Sequence, residues 1–279
     1  MTTTTPSLRV TPEHAGEGSV FGRVLVGVDG TKASFEACRQ AARLADPGAA
    51  IEAVAVVHLA DAVYTGVHAP DVADRLRRDA EEALDEAVRI LGERARKRFV
   101  NGYVTTALLH EIARADATVI ALGSHGHHRA TEILIGGPAG ELLHTAPCAV
   151  LLARPPGRPG SFPCSIVAGI DGSLEAYAAL EVARALANRF DSRLRIVAAL
   201  RGKDVDLERV RVQAPMSEVI DARPVDALVA ASEDADLLVV GSRGLHGLRA
   251  LGSVSERIAH RAACSTLVVR SPGTDPQSS

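Results

Sequence analysis

Two aspartates and two glycine-rich turns recur in this chain at places where a sheet would present them to a ligand. Arg23–Gly30 reads RVLVGVDG and Ser165–Gly172 reads SIVAGIDG, so Asp29 and Asp171 each leave a short apolar, β-branched run. Ala117–Gly126 reads ATVIALGSHG and Asp236–Gly244 reads DLLVVGSRG, ending in Gly123-Ser-His-Gly126 and Gly241-Ser-Arg-Gly244. Glycines at strand ends permit positive φ and let backbone N–H groups approach a ligand closely. A helix that starts at the next Gly-Ser adds amides and hydroxyls suited to phosphate. The chemistry implied is anion binding beside a carboxylate. A lone Asp-Gly also closes ordinary turns, so the recurrence of the whole set carries the reading.

Other chemistries find little support. No G-x-x-x-x-G-K-(S/T) loop occurs, and no G-x-G-x-x-G follows a strand. A G-x-S-x-G elbow is also missing, and the four cysteines form no CxxC pair. His125, His127 and His128 invite a metal, but the second copy has Arg243, Leu245 and His246 there, which favours a solvated loop. Cys148 and Cys264 occupy matching sites and read as small buried apolar residues, while His144 and His260 read as packing or capping residues. Cys38 and Cys164 have no counterparts across the repeat.

The elements that must position these residues also come in two copies. GGPAGELLHTAPCAVLLAR at Gly136–Arg154 parallels GSVSERIAHRAACSTLVVR at Gly252–Arg270. Asp29 and Asp171 are offset by 142, Gly126 and Gly244 by 118, and Gly136 and Gly252 by 116. The second copy is therefore 24 residues shorter in its middle and 2 shorter inside the glycine-rich segment. RPPGRPGSFP at Arg154–Pro163 is a linker by composition. The expected organisation is a disordered N-terminus (1–20), a first unit (21–154), a linker (155–162), a shortened second unit (163–270) and a disordered tail (271–279).

Each unit alternates strand and helix. In the first, Val24–Val28 leads to a helix over Lys32–Leu44, and Ala53–Leu59 is a second buried strand. Periodicity predicts a long amphipathic helix over Pro70–Phe99, with basic Arg94–Arg98 at its dipole-favoured end. Strands follow near Phe99–Gly102, at Val119–Leu122 and at Ala149–Ala153, with helices at Thr105–Ala115 and Ala139–Thr145. In the second unit only Lys203–Gln213 remains of the long helix, before a strand near Met216–Ile220 and a helix over Pro224–Ala231. One face of that sheet is expected to be covered by something else or left partly exposed. Strands joined through helices require parallel pairing with right-handed crossovers. The fold class is α/β, with two doubly wound parallel five-stranded sheets.

Composition agrees with a folded chain and excludes several partners. The 279 residues are 47% hydrophobic and 23% charged, ordinary values for a globular protein. A net charge of −3 gives no basic excess for nucleic acid or an anionic membrane. Aromatics at 3% leave little for a base-stacking platform. No apolar run nears the ~20 residues that span a bilayer, and the N-terminus lacks the basic-then-apolar order of a signal peptide. Cytoplasmic localisation is the expectation.

The motifs V-D-G-(S/T), (V/I)-x-x-G-S-x-G, G-S-V-S-E-x-(V/I) and a final strand with Cys before it resemble the universal stress protein family. The resemblance covers both units, so the chain looks like a tandem universal stress protein. It implies an adenine-nucleotide α-hydrolase-like fold with strand order 3-2-1-4-5, which sets Asp29 beside the Gly123–Gly126 turn. It implies ATP binding through G-x2-G-x9-G-(S/T), with the strand-one Asp and a residue after strand two near adenine, here Leu59 and Leu200. It also implies homo-oligomers built by pairing the last strands, Ala149–Ala153 and Thr266–Val269, between units or chains. Gly126 and Gly136 keep the nine-residue spacing, but Gly137, Pro138 and Ala139 stand where hydroxyls and an amide are wanted. Gly252, Ser253 and Ser255 are intact, but only seven residues separate Gly252 from Gly244. The second unit is the favoured nucleotide site, with one nucleotide per chain. A related superfamily that adenylates its substrates opens with S-G-G-x-D-S, and a response-regulator receiver needs an acidic cluster and a strand-five Lys; neither pattern is present. The resulting expectation is a stress sensor or regulator that binds ATP and acts through conformation or association, without efficient turnover and at most a weak incidental ATPase. The alternative is a degenerate, nucleotide-free tandem scaffold for dimerisation or interaction.

Overall fold

The structure is a computed structural model describing residues 20–58, 69–124, 137–156, 162–201, 205–242 and 254–270. The first half runs β1 (Arg23–Gly27), α1 (Lys32–Leu44), β2 (Ala50–Val57), α2 (Ala69–Leu91), β3 (Arg96–Asn101), α3 (Val104–Ala115), β4 (Val119–Gly123), α4 (Pro138–Thr145) and β5 (Ala149–Ala153). The second runs β6 (Ser165–Ile170), α5 (Leu174–Phe190), β7 (Arg193–Ala199), α6 (Leu207–Gln213), β8 (Glu218–Ile220), α7 (Pro224–Ala231), β9 (Leu237–Ser242), α8 (Val254–Arg261) and β10 (Ser265–Arg270).

All ten described strands join in one sheet of order β3-β2-β1-β4-β5-β10-β9-β6-β7-β8. Each half repeats the 3-2-1-4-5 order with parallel pairing, as in Val26↔Ala53 and Val24↔Val119. The two five-stranded sheets expected from sequence are thus halves of a single sheet, because β5 and β10 pair antiparallel through Leu152↔Thr266, Leu151↔Leu267 and Val150↔Val268. The strand alternation sorts apolar residues onto two faces. One core carries Val26, Ala121, Leu151, Ala168, Val239 and Leu267, and the other Leu25, Ile120, Val150, Val167, Leu238 and Val268. Both cores run unbroken across the two halves. Burying each such Leu, Ile or Val contributes roughly 1.5–3 kcal/mol.

Arginines fasten the halves reciprocally. Arg154, leaving β5 and buried, donates to the carbonyls of Ala259, His260 and Cys264 at 2.8, 3.2 and 3.1 Å, capping the end of α8. Arg270, leaving β10, donates to the Leu143 carbonyl in α4 and to Ser242 Oγ at 2.8 Å. Arg189 reaches the carbonyls at the end of α1, including Leu44 at 3.1 Å, and pairs with Asp46 at 3.0 Å.

Several boundaries differ from the sequence expectation. The long helix stops at Leu91, not Phe99: Gly92 takes φ +94° and Ala95 donates to its carbonyl at 2.9 Å. Arg96–Arg98 therefore lie in a strand, paired to Glu52–Val54, and do not decorate a helix end. In the second half the residual helix begins at Leu207, not Lys203, because Asp206 caps it by accepting from the Arg209 N–H at 3.1 Å. The face left by the shortened middle is covered in part. Val210 is fully buried, but Val212 and Met216 are 83% and 89% exposed beside the edge strand β8. Among the described residues, no helix is long and apolar enough to cross a membrane.

Candidate functional site

Asp29 and Asp171 sit in matched turns. Gly30 and Gly172 follow them at φ +77° and +87°, conformations that a Cβ would strain. Asp29 Oδ1 accepts from the Thr31 N–H at 3.0 Å and the Thr31 hydroxyl at 2.6 Å, and Asp171 Oδ1 accepts from the Ser173 N–H at 2.9 Å. Thr31 and Ser173 then cap α1 and α5, each accepting at 3.2 Å from the N–H three residues on. The carboxylates thus organise the turn first, and a ligand role would be added to that duty.

Gly123 ends β4 and Gly241 is the penultimate residue of β9, next to these turns, but for a different reason from the one expected. Neither has a positive φ among the described residues. A Cβ on Gly123 would collide with the backbone of Ala33 and Ser34, and one on Gly241 with that of Glu175 and Ala176. Both glycines let the first turn of a helix lie directly on a strand.

In the second half these parts border a pocket of about 520 Å³ at the carboxyl ends of β6, β7 and β9. This is where the strand order reverses, the usual ligand position in an open parallel sheet. Asp171, Gly241 and Ser255 line it, so three of the sequence-predicted residues converge. Ser255 is buried near the start of the described part of α8. Leu200 does not line the pocket. Its side chain is part exposed while its N–H donates to the Ile220 carbonyl at 2.9 Å, and its neighbours Ala199 and Arg201 face the cavity. Strand alternation explains this displacement. The register Val26↔Ala53 and Ala168↔Ile196 aligns Leu200 with Val57 and Arg201 with His58, so pairing Leu59 with Leu200 was out of register. Leu59 itself, Gly126, Gly136, Gly244, Gly252 and Ser253 lie outside the described residues, as does the His125–His128 cluster.

Sequence reasoning missed the arginines. Arg201, Arg223, Arg257 and Arg261 all line the pocket, against the acids Asp171 and Asp226. Arg201 is neutralised by a two-point contact with Asp221 at 2.8 and 3.0 Å, which holds the Asp221 carboxyl below its usual range. The legible signal was Arg257 and Arg261 four residues apart on a helix, which places them on one face.

In the first half, Gly137 caps α4 with φ −155°, Pro138 opens the helix, and no side chain completes the cap. His58 and Tyr103 stack with ring centroids 4.2 Å apart at the ends of β2 and β3. Between the halves, His144 Nε2 lies 2.9 Å from Glu256 Oε1. His260 is half-buried, with Nε2 unpartnered among the described residues, and burial pushes its imidazole down to about 4. These two histidines pack at the junction, away from the pocket-lining set. Cys38, Cys148 and Cys264 are buried, and burial pushes their thiols up to about 12, 11 and 12, as core residues require. Among the described residues, no cluster of three metal-ligating side chains occurs.

A mainly parallel, doubly wound sheet with a pocket at its switch point and an Asp-Gly turn beside it defines a doubly wound α/β protein. The sequence profile of the universal stress protein family matches residues 21–154 and 198–270. The chain belongs to the universal stress protein family. A universal stress protein of Mycobacterium tuberculosis (strain ATCC 25618 / H37Rv) is 28% identical over 291 aligned positions, covering 88% of this chain and 96% of its own. A second protein of that name from the same strain is 30% identical over 184 positions, and the chain spans 62% of that relative's length and matches it over 56% of its own. The crystal structure of a universal stress protein from Archaeoglobus fulgidus DSM 4304 superposes with a TM-score of 0.71 at 22% identity, over 91% of this chain and 97% of that one, and it shares the fold.

Proposed function

We propose that this chain is a stress-response regulator that binds ATP or a related adenine nucleotide in the pocket of its second half and signals through conformation or association. The observation that carries the reading is the convergence of Asp171, Gly241 and Ser255 on one cavity at the switch point. Its inner wall of Val197, Ala199, Val240 and Ile258 suits a base, and its basic side suits phosphate. We also propose that the two halves are separate copies of one family unit, 21–154 and 163–270, fused so that the last strands pair within the chain.

ATP occupancy would engage α8 through Ser255 at the pocket wall. Because Arg154 of the first half caps the far end of α8, a change there would be felt by both halves. At an ATP concentration 100 times Kd, binding stabilises the folded chain by about 2.7 kcal/mol. The test is to denature the purified chain and identify any released nucleotide, then to follow its melting temperature against ATP. No released nucleotide and no shift at millimolar ATP would reject the reading. The exposed Val212 and Met216 favour a second reading, an interaction scaffold that needs no nucleotide.

A further inference from the structure

Three of the pocket's arginines stand apart from the rest of its chemistry. Arg223 is the cap residue of α7, and Arg257 and Arg261 lie four residues apart on α8. Their one local acid is Asp226, which accepts from Arg223 Nε at 3.1 Å through Oδ2 and from Arg261 Nη1 at 3.3 Å through Oδ1. A single carboxylate shared between two guanidinium groups orients both and leaves most of their donors unused. Arg257 has no ion pair among the described residues. Against Asp226 the cluster carries two positive charges in excess, and with Asp171 also in the lining the cavity keeps a net positive charge even though Arg201 is neutralised by Asp221.

The first half supplies a comparison within the same chain. The repeat offset of 116 aligns Arg257 with Glu141 and Arg261 with Thr145. Arg223 and Tyr103 both cap the helix that follows the edge strand of their half. Three cations in one half thus correspond to an acid, a hydroxyl and a phenol in the other. The basic half is also the one whose glycine-rich segment is two residues shorter in sequence, Gly244 to Gly252 against Gly126 to Gly136.

We infer that Arg223, Arg257 and Arg261 form the phosphate grip of the second-half pocket, and that the pocket selects adenine nucleotides carrying several negative charges. Guanidinium groups bind phosphate oxygens in a planar, two-point geometry and remain charged at every physiological pH. A di- or triphosphate can engage all three. A cyclic monophosphate, with one negative charge, can satisfy at most part of the cluster, and adenosine none of it. This inference rests on the nucleotide reading above and adds which residues hold the charged end and which nucleotides are preferred.

The test is equilibrium binding of ATP, cyclic AMP and adenosine to the full chain and to Arg223→Gln, Arg257→Gln, Arg261→Gln and the triple variant. Each single change is expected to weaken ATP about tenfold, within the range of a lost hydrogen bond to a charged group. The triple variant should lose about a hundredfold or more and show a flatter salt dependence, with adenosine affinity unchanged. A triple Arg→Lys variant should recover part of the loss. Triple-variant affinity for ATP within twofold of wild type would overturn the inference while leaving the nucleotide reading intact. Equal losses for adenosine and ATP would also overturn it, by showing a collapsed pocket instead of a missing charge. Failure of the wild-type chain to bind either ATP or adenosine at millimolar concentration would reject the nucleotide reading, and the inference with it.

Discussion

The strand-end regions of the two halves share a framework and differ in chemistry. Both have an Asp-Gly turn, a hydroxyl-capped helix and a glycine on which that helix lies. Beyond this framework they diverge. The second half faces its pocket with Arg201 and Arg223, where the first stacks His58 on Tyr103. The second has Ser255 at the start of the described part of its last helix, where the first has Ala139. The matched parts maintain the sheet, so they recur whether or not a ligand binds. The unmatched parts are free to specialise, and the proposed site uses those of the second half.

The largest expected effect tests the shared framework. Gly123→Val and Gly241→Val each drive a side chain into helix backbone and should destabilise the chain by about 3 kcal/mol or more, read by chemical denaturation. Gly137→Ala, with open space around its would-be Cβ, should be nearly silent. Equal tolerance at Gly123 and Gly137 would break the claim that strand-end glycines serve packing.

Next comes the bond between halves. Arg154→Ala strands two buried carbonyls and one part-buried one and should cost about 3 kcal/mol, and Arg270→Ala, with fewer contacts, about 2 kcal/mol. Denaturation curves measured for both variants would show the order. A larger loss at Arg270 would contradict it.

The ligand separates the halves more sharply. Asp171→Ala should reduce ATP-dependent stabilisation, about 2.7 kcal/mol at 100 times Kd, to a small residue, while Asp29→Ala leaves it in place. Thermal shift with and without ATP reads both.

Acid should act on the halves in sequence. His260 is held neutral by burial, with its folded value, about 4, below the unfolded one of about 6.5. Its unfolded form therefore binds the extra proton, and stability falls as pH drops from about 6.5 toward 4. In the first half, burial raises the Glu111 carboxyl, but the hydrogen bond from Arg114 and the ion pair with Arg98, both at 2.5 Å, outweigh it and leave the group below its usual range. That stabilisation is full above the unfolded carboxylate value of about 4.3 and fades at more acid pH. A His260→Leu variant should remove the earlier loss and spare the later one, as urea midpoints between pH 7 and 3 would show.

Much of the fold was legible because local patterns agreed with it. Repeated apolar runs marked the strands, and Asp206, Thr31 and Ser173 are ordinary helix caps. Errors arose where two patterns overlapped. Ala95 and Phe99 kept helical spacing past Leu91, and only Gly92 marked the stop. Of the site, Asp171, Gly241 and Ser255 could be read from motifs. Leu200 could not be placed correctly, because a shift in strand register turns a side chain to the other face. The arginine cluster was illegible as a cluster, since Arg223 meets Arg257 and Arg261 only through the packing of α7 on α8.

Photo-crosslinking with an azido-adenine triphosphate, followed by peptide mapping and label counting, tests the central claim most directly. One label per chain is predicted, confined to peptides from β7, β9 and α8, which carry the base wall. Labelling centred on Asp29 and Gly123, or equal labelling of both halves, would contradict it.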